Sequence, residues 1–199
     1  MSFSDINIEV FRSINNLGEQ ASALNPIVIF FAEYMLYFLC LALVIHWFTR
    51  KQNNRMMVIQ AVIATVIAEV LGKIAGQFYS HNQPFAVLPH VNKLVEHAVD
   101  NSFPSDHSIV FFSICISIWL VRKKEWWLWI PLAICVAISR VWVGVHYPVD
   151  IATGALIGIL SSLFVYWLVP KLGFIKQLLA LYEKAENRIL PSKNKNENF

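Results

Sequence analysis

Charged residues are scarce in this chain of 199 residues, because Asp, Glu, Lys and Arg make up only 15% of it while hydrophobic residues make up 57%. This composition, with a mean hydropathy of +0.53, excludes an ordinary water-soluble domain and indicates an integral membrane protein. The formal net charge of +3 is small and is spread over short loops. The charge pattern therefore favours a lipid bilayer as partner and gives no support to nucleic-acid binding.

Cysteine is also rare, and the three cysteines lie in apolar runs without paired spacing: Cys40, Cys115 and Cys135. That pattern excludes a disulfide framework or a cysteine metal cage. The histidines between the second and third apolar runs match no metal-ligand spacing either, and we predict that they are solvated loop residues: His81, His90 and His97. The sequence therefore predicts neither a metal site nor a cofactor.

Apolar runs of roughly 20 residues, the length that crosses about 30 Å of hydrocarbon as a helix, recur through the chain. We predict an all-α bundle of about five transmembrane helices, at residues 26–48, 56–79, 105–121, 126–143 and 148–168. Gly154 and Gly158 in the fifth run predict close helix packing. Amphipathic helices are expected at 4–17 and 173–190. The predicted single domain comprises an interfacial helix (1–22), a transmembrane core (26–169), and a cytoplasmic helix and tail (173–199) whose polar end is disordered.

Lysine and arginine set the predicted orientation of the bundle. They cluster after the first and third spans: Arg50, Lys51, Arg55, Arg122, Lys123 and Lys124. Positively charged loops remain on the cytoplasmic side of a membrane. We therefore expect an external N-terminus, a cytoplasmic C-terminus, and external loops at 80–104 and 144–147.

One external stretch, "NSFPSDHSIV", joins a loop to the third span. Ser105 is a typical helix N-cap, and the free N–H groups and positive dipole end that follow it attract phosphate. Asp106 and His107 come next, on different faces of the helix. Taken alone, the stretch is equally compatible with a capped helix end that has polar neighbours.

A second polar stretch, "SRVWVGVHYPVD", joins the fourth span to the fifth. It brings Ser139 and Arg140 to the same external surface as His146 and Asp150. Arginine presents a donor fork that suits phosphate oxygens, and a carboxylate beside an imidazole can hold one ring N–H so that the other nitrogen keeps its lone pair. This pattern predicts His146 as nucleophile. It leaves His107 as a proton donor.

The two stretches together resemble the type 2 phosphatidic acid phosphatase (PAP2) superfamily, whose motifs are KxxxxxxRP, PSGH and SRxxxxxHxxxD. The third motif is complete, and the second occurs as "PSDH", with Asp106 in place of glycine. The first is degraded, since Gln83 and Gly76 stand where arginine and lysine belong. The resemblance implies a helical membrane phosphatase.

The degraded motif leaves phosphate binding at Gln83 dependent on an amide. Lys73 lies one turn deeper and could contact phosphate, but it follows Glu69 by four residues, and we predict an ion pair between the two within the membrane. Whether Lys93 or a loop histidine compensates is left open. Glu33 in the first span either takes part in the function or stabilises the bundle through a hydrogen bond, and it is not assigned to the site.

Within the superfamily, the short chain with "FAEY" and "FPSDH" is most similar to the bacitracin-resistance type of undecaprenyl-pyrophosphate phosphatase. This resemblance implies dephosphorylation of a polyprenyl pyrophosphate on the outer face of the bacterial plasma membrane. It also implies a phosphohistidine at His146, orientation by Asp150 and protonation of the leaving oxygen by His107. Phosphate-binding candidates are Arg140, Ser105, Asp106, Ser139, Gln83 and Lys73.

Three alternatives remain for the activity. A phosphatase of glycerolipids such as phosphatidic acid or phosphatidylglycerophosphate would use the same residues, and so would a lipid phosphotransferase. A lipid-binding or transport protein without catalysis is the alternative from another class; the degraded first motif slightly favours it, whereas the complete set of histidines and aspartate disfavours it. The sequence does not assign an oligomeric state.

Overall fold

The fold, taken from a computed structural model that describes residues 2–190, is built from helices. They are α1 (Phe3–Asn15), α2 (Leu17–Gln20), α3 (Asn25–Glu33), α4 (Met35–Phe48), α5 (Gln52–Phe78), α6 (Pro84–Val87), α7 (Asp106–Val121), α8 (Trp126–Trp142), α9 (Pro148–Leu168) and α10 (Gly173–Ile189). Short 3-10 turns connect several of them. Within residues 2–190 the only β pairing is an isolated bridge between Asn82 and Asn101. The predicted disordered end, 191–199, lies outside the described residues.

The first span is broken, whereas the sequence predicted one continuous helix over 26–48. Helices α3 and α4 meet at Tyr34 with a bend of 48°. The guanidinium of Arg140 donates a hydrogen bond of 2.8 Å to the carbonyl of Ala32, just before the break. A side chain that takes a carbonyl from the backbone ladder is a recognised cause of helix kinks. The bend thus results from a residue that is distant in sequence.

The core of the bundle is formed by α5, α7 and α9, which pack against one another, with α8 against α7. Helices α5, α8 and α9 are each long and apolar enough to cross a bilayer, and so is the bent pair α3 and α4. Helix α7 is apolar but has only 16 residues. The predicted close packing on α9 is confirmed, because a Cβ at Gly154 would lie 2.7 Å from the carbonyl oxygen of Ser105.

The two terminal helices cover opposite ends of the bundle. Helix α1 packs on the end that holds loop 80–104: Phe11 is fully buried against Tyr147, and the Asn15 amide donates to the carbonyl of Trp142. Helix α10 packs at the other end of α5, where the buried guanidinium of Arg55 binds Glu186 at 2.7 Å. The 27 residues of α5, about 40 Å of helix, separate these two ends.

Candidate active site

The polar stretches of the sequence meet at the end of the bundle that α1 covers. There the turn between α8 and α9 lies beside the N-terminus of α7, and the backbone N–H of Ser105 donates to the carbonyl of Asp150 at 3.2 Å. The backbone N–H of Leu94 donates to Val143 and closes loop 80–104 onto the same turn. Arg140 and His146 lie within electrostatic range of His107 at the start of α7.

The imidazole of His146 is held in one tautomer. Its side chain is 8% exposed, and Nδ1 lies 2.9 Å from the carbonyl oxygen of Ser102. Because a carbonyl can only accept, Nδ1 carries the proton and Nε2 keeps its lone pair. The nearest carboxylate oxygen, Oδ2 of Asp150, lies 3.6 Å away, beyond ordinary hydrogen-bond length. The Ser102 carbonyl therefore lies closer to the Nδ1 proton of His146 than the Asp150 carboxylate does.

Ser102 is a site residue that no sequence motif indicates. Its buried hydroxyl donates to Oδ2 of Asp150 at 2.6 Å and lies 3.2 Å from Nδ1 of His146. The same carboxylate oxygen accepts the backbone N–H of Tyr147 at 2.9 Å. Ser102 belongs to the quoted stretch but precedes the "PSDH" motif by two residues. Only the pairing of its segment with residues 81 and 82 brings it to the site.

His81 is the second residue whose placement differs from the prediction. It was predicted to be a solvated loop residue, but its Nε2 lies 3.0 Å from Oδ1 of Asp150 and its side chain is only 23% exposed. His90 is exposed as predicted, and the ring of His97 lies 6.3 Å from that of His146. Among residues 2–190, no group of three or more histidine, cysteine or acidic side chains is arranged to hold a metal ion.

Arg140 is fully buried and contacts the first span. One terminal nitrogen, Nη1, donates to the carbonyl of Ala32 and lies 3.1 Å from Oε1 of Glu33. The buried Nε has no hydrogen-bond partner in the described part of the chain. Glu33, which belongs to none of the motifs and was not predicted as a site residue, thus pairs with Arg140 across 107 positions of sequence. The unpaired Nε–H is available to an anion.

Two serines predicted to bind phosphate differ in their environments. Ser105 is fully buried at the N-cap of α7, with its hydroxyl 3.5 Å from the backbone N–H of Ser108. The Ser139 hydroxyl donates to the carbonyl of Val136, one turn earlier in α8, at 2.6 Å. Ser139 is thus satisfied by its own helix, whereas Ser105 marks a helix N-terminus beside His146.

The two residues at the first-motif positions, Gln83 and Gly76, contact residues of loop 80–104. Gln83 is fully buried, its amide nitrogen donates to the carboxylate of Asp100, and its oxygen accepts the Asp100 backbone N–H at 3.0 Å. At Gly76, a Cβ would lie 2.9 Å from the carbonyl oxygen of Phe103 and from the side-chain nitrogen of Asn101. A lysine at this position would therefore displace the segment that carries Ser102.

Lys73 and Asp106 lie together, in a depression of about 250 Å³ between α5 and α7 rather than in the His146 cluster. Both side chains belong to exposed residues. The predicted ion pair with Glu69 is wrong: within residues 2–190, Oε1 of Glu69 is buried without a hydrogen-bond partner, and Lys73 forms no salt bridge with it. The four-residue spacing allows the pair, but Lys73 lies at the exposed surface of the helix.

Burial sets the protonation state of His146, which lies in the turn outside the spans. Loss of solvent around the imidazole lowers its pKa, the neighbouring Asp150 carboxylate partly opposes this, and the Arg140 charge lowers the pKa further. A lowered pKa keeps the ring neutral at pH 7. A neutral imidazole with Nδ1 protonated is a nucleophile at Nε2.

A neutral imidazole of fixed tautomer, an unpaired arginine nitrogen and a helix N-terminus converge at one end of a membrane bundle, and together they define a membrane enzyme whose substrate carries an anionic group. The chain belongs to the PAP2 superfamily: residues 57–174 match the family's sequence profile. This range includes His107, Arg140, His146 and Asp150.

Several known proteins are similar over most of the chain. It is 64% identical over 195 residues to a bacitracin transport permease protein BcrC of Bacillus licheniformis, covering 98% of this chain and 96% of the relative. It is 30% identical, over 98% of this chain and 100% of the relative, to an undecaprenyl-diphosphatase BcrC of Bacillus subtilis. The crystal structure of Aquifex aeolicus LpxE superposes with a TM-score of 0.66 at 26% identity, covering 83% of this chain and 99% of that one.

Proposed function

We propose that this chain is an undecaprenyl-diphosphate phosphatase that removes the terminal phosphate of the polyprenyl pyrophosphate. The observation that carries the proposal is the His146 imidazole, whose Nδ1 proton rests on the Ser102 carbonyl and which lies within electrostatic range of Arg140, the residue with the unpaired Nε. That pair offers a nucleophile and a cation to one phosphoryl group. The name of the Bacillus subtilis relative supports the choice of substrate.

In the proposed reaction, Nε2 of His146 attacks the terminal phosphorus and the bond from that phosphorus to the bridging oxygen breaks. His107 gives its proton to the bridging oxygen, which leaves with undecaprenyl phosphate. Water then attacks the phosphohistidine, returning a proton to His107 and releasing inorganic phosphate. Arg140 and the N–H groups that follow Ser105 stabilise the charge on the phosphoryl oxygens. Ser102 and Asp150 hold the imidazole throughout.

We place this site on the outer face of the bacterial plasma membrane, with the C-terminus in the cytoplasm. The support is the distribution of positive charge: Lys51 and the run Arg122–Lys124 lie at the end of the bundle opposite His146. The bilayer and the lipid substrate are the partners in this proposal.

An apolar groove offers a place for the lipid part of the substrate. It lies between α3 and α8, has a volume of about 230 Å³, and is lined by Ile27, Val28, Phe31, Cys135, Ile138, Ser139 and Trp142. Its wall includes Ser139 and Trp142, which lie one position before and two positions after Arg140 in α8. In this proposal the polyprenyl chain lies in this groove, away from water, while its pyrophosphate reaches Arg140 and His146.

The proposal is tested by phosphate release from the purified protein in detergent. The substrates are undecaprenyl pyrophosphate, phosphatidic acid and phosphatidylglycerophosphate, with His146→Ala as control. We expect the pyrophosphate to have the highest kcat/KM. A higher value for either glycerolipid would contradict the substrate assignment.

Transport is the competing candidate, because the Bacillus licheniformis relative carries a permease name. Proteoliposomes that contain the purified protein distinguish transport from phosphatase activity. Movement of bacitracin across the vesicle membrane, without phosphate release from any substrate, would overturn the phosphatase proposal. We expect phosphate release that His146→Ala abolishes.

A further inference from the structure

The backbone of His81 is tied to the segment that carries Ser102. The carbonyl of His81 accepts the backbone N–H of Ser102 at 2.8 Å, and the His81 N–H donates to the side-chain oxygen of Asn101 at 3.2 Å. Ser102 in turn supplies the carbonyl and the hydroxyl that contact His146 and Asp150. His81 is therefore a fixed neighbour of the site and does not belong to a free loop.

Three aromatic rings surround the imidazole of His81. Its centroid lies 5.2 Å from that of Tyr79, 5.3 Å from Tyr147 and 6.1 Å from Phe103. Two of these contacts are edge-to-face, a favourable geometry for aromatic pairs. A cavity of about 220 Å³ under α1, to which Ser4 and Asn7 contribute, borders the ring. These contacts place the ring so that Nε2 faces the buried carboxylate.

The carboxylate of Asp150 is fully buried, and its two oxygens have different neighbours. Oδ2 faces the site, where it accepts from Ser102 and Tyr147 and lies 3.6 Å from His146. Oδ1 lies 3.0 Å from Nε2 of His81, and no other donor among residues 2–190 contacts it. A buried carboxylate oxygen without a donor is costly, so a donor at this distance matters.

We propose that His81 is a positioning residue for His146. Its Nε2 carries a proton and donates to Oδ1 of Asp150 from the side opposite His146. This contact fixes the plane of the carboxylate and withdraws part of its negative charge. The inference rests on the proposed role of His146 as nucleophile, but not on the identity of the lipid.

Few titratable groups face the imidazole of His81. The titratable groups that face its ring are Asp150 from α9, Tyr147 from the turn and Tyr79 from the end of α5. From α1, Ser4 and Asn7 border the same cavity and carry no charge. The carboxylate is thus the strongest interaction available to this imidazole.

Two substitutions separate hydrogen bonding from ring packing. His81→Gln keeps an N–H donor near the position of Nε2 but removes the ring, whereas His81→Phe keeps a ring and removes the donor. We expect His81→Phe to lower kcat on the order of tenfold to a hundredfold. We expect His81→Gln to remain within about threefold of the unmodified enzyme. The opposite order, with His81→Phe active and His81→Gln impaired, would show that the ring only packs and would overturn the proposal.

The pH profile gives a readout that packing alone would not move. Without the donor, Asp150 holds more negative charge toward His146, and the pKa of His146 rises. The acid limb of kcat/KM should therefore move to higher pH in His81→Phe and stay in place in His81→Gln. His90→Asn is the matched control, because His90 is an exposed histidine of the same loop with a φ of 52° that asparagine accepts. An acid limb of kcat/KM that stays at the same pH in His81→Phe would contradict the proposal.

A chemical measurement keeps the test independent of the substrate. Diethyl pyrocarbonate modifies unprotonated imidazole nitrogen, so its rate of reaction at His146, followed by mass spectrometry across pH, reports the basicity of Nε2. We expect the His146 modification profile of His81→Phe to shift to higher pH while that of His81→Gln coincides with the unmodified protein. If the protein hydrolyses no polyprenyl pyrophosphate, the proposed function fails and this profile still decides the role of His81. Coincident profiles in all three proteins would overturn that role.

Discussion

At the scale of single residues, the two histidines of the site differ in what fixes them. His146 has its Nδ1 proton on a backbone carbonyl, so its free nitrogen points away from Ser102. His107 is the second residue of α7, and its ring has no comparable backbone partner among the hydrogen bonds of residues 2–190. The difference matches the proposed roles, since a nucleophile must keep one tautomer while an acid must exchange its proton.

Leaving-group dependence should separate these roles. His107→Ala should lose roughly 100- to 10,000-fold in kcat on a simple lipid phosphomonoester and be largely rescued on a nitrophenyl phosphate, whose leaving group needs no proton. On the polyprenyl pyrophosphate we expect an intermediate defect. His146→Ala should be inactive on all three in a phosphate-release assay. Rescue of His146→Ala, but not of His107→Ala, by the nitrophenyl ester would reverse the assignment.

The burial of His146 also predicts a pH dependence. Because its pKa lies below the ordinary imidazole value of about 6.5, the ring stays neutral and active through mildly acidic pH, and activity is lost only as pH falls through the lowered pKa. The acid limb of kcat/KM should thus lie below pH 6.5. Asp150→Asn should move the limb lower still while reducing turnover, because the carboxylate raises the His146 pKa. A limb above the ordinary value would contradict the neutral imidazole.

Residues within the motifs could be predicted from the sequence, and those outside them could not. Arg140, His146 and Asp150 share a short stretch whose helix ends bring them together. Ser102 and Glu33 reach the site through contacts across 48 and 107 positions, which no local pattern encodes. His81 was misassigned because a loop histidine is usually solvated, and its burial depends on three rings from separate elements.

At the scale of the helices, the site depends on how closely α9 approaches the N-terminus of α7. Gly154 faces Ser105 and Ser108, so the backbone of the phosphate-binding helix end rests directly on α9. The bounds of α9, 148–168, could be predicted from Pro148 and the long apolar run that follows it. The bend at Tyr34 did not, because neither proline nor glycine marks it and its cause, Arg140, lies in another helix.

Gly154→Ala should therefore damage both stability and activity. The added methyl would lie 2.7 Å from the Ser105 carbonyl oxygen and 3.0 Å from the Ser108 Cβ, and overpacking of this kind costs about 1–3 kcal/mol. We expect a lower Tm in detergent and reduced kcat.

Gly173→Ala is the matched control for this substitution. A Cβ at Gly173 meets nothing within 4 Å, so its Tm and kcat should be unchanged or slightly improved. Equal behaviour of the two variants would show that the contact between α7 and α9 is looser than described.

At the scale of the whole molecule, the chain has two ends with different chemistry. One carries loop 80–104, α1 and the His146 cluster, and the other carries α10 and the positive loops. A thiol-labelling experiment in intact cells tests which end is outside. Glu96→Cys and Asn53→Cys are suitable because both positions are exposed, and the exposed Cys40 and Cys135 are first replaced. We expect an impermeant maleimide to label position 96 but not position 53, and the reverse would place the site inside.

The cover formed by α1 has a consequence for how the protein is made. Asn15 donates to the carbonyl of Trp142, 127 positions later, and Phe11 rests on Tyr147. Helix α1 leaves the ribosome long before α8 does, and it therefore lacks this surface until α8 and the turn after it have been made. Nascent chains that end before this turn contain α1 without its docking partner, so the active site forms only after the turn has been made.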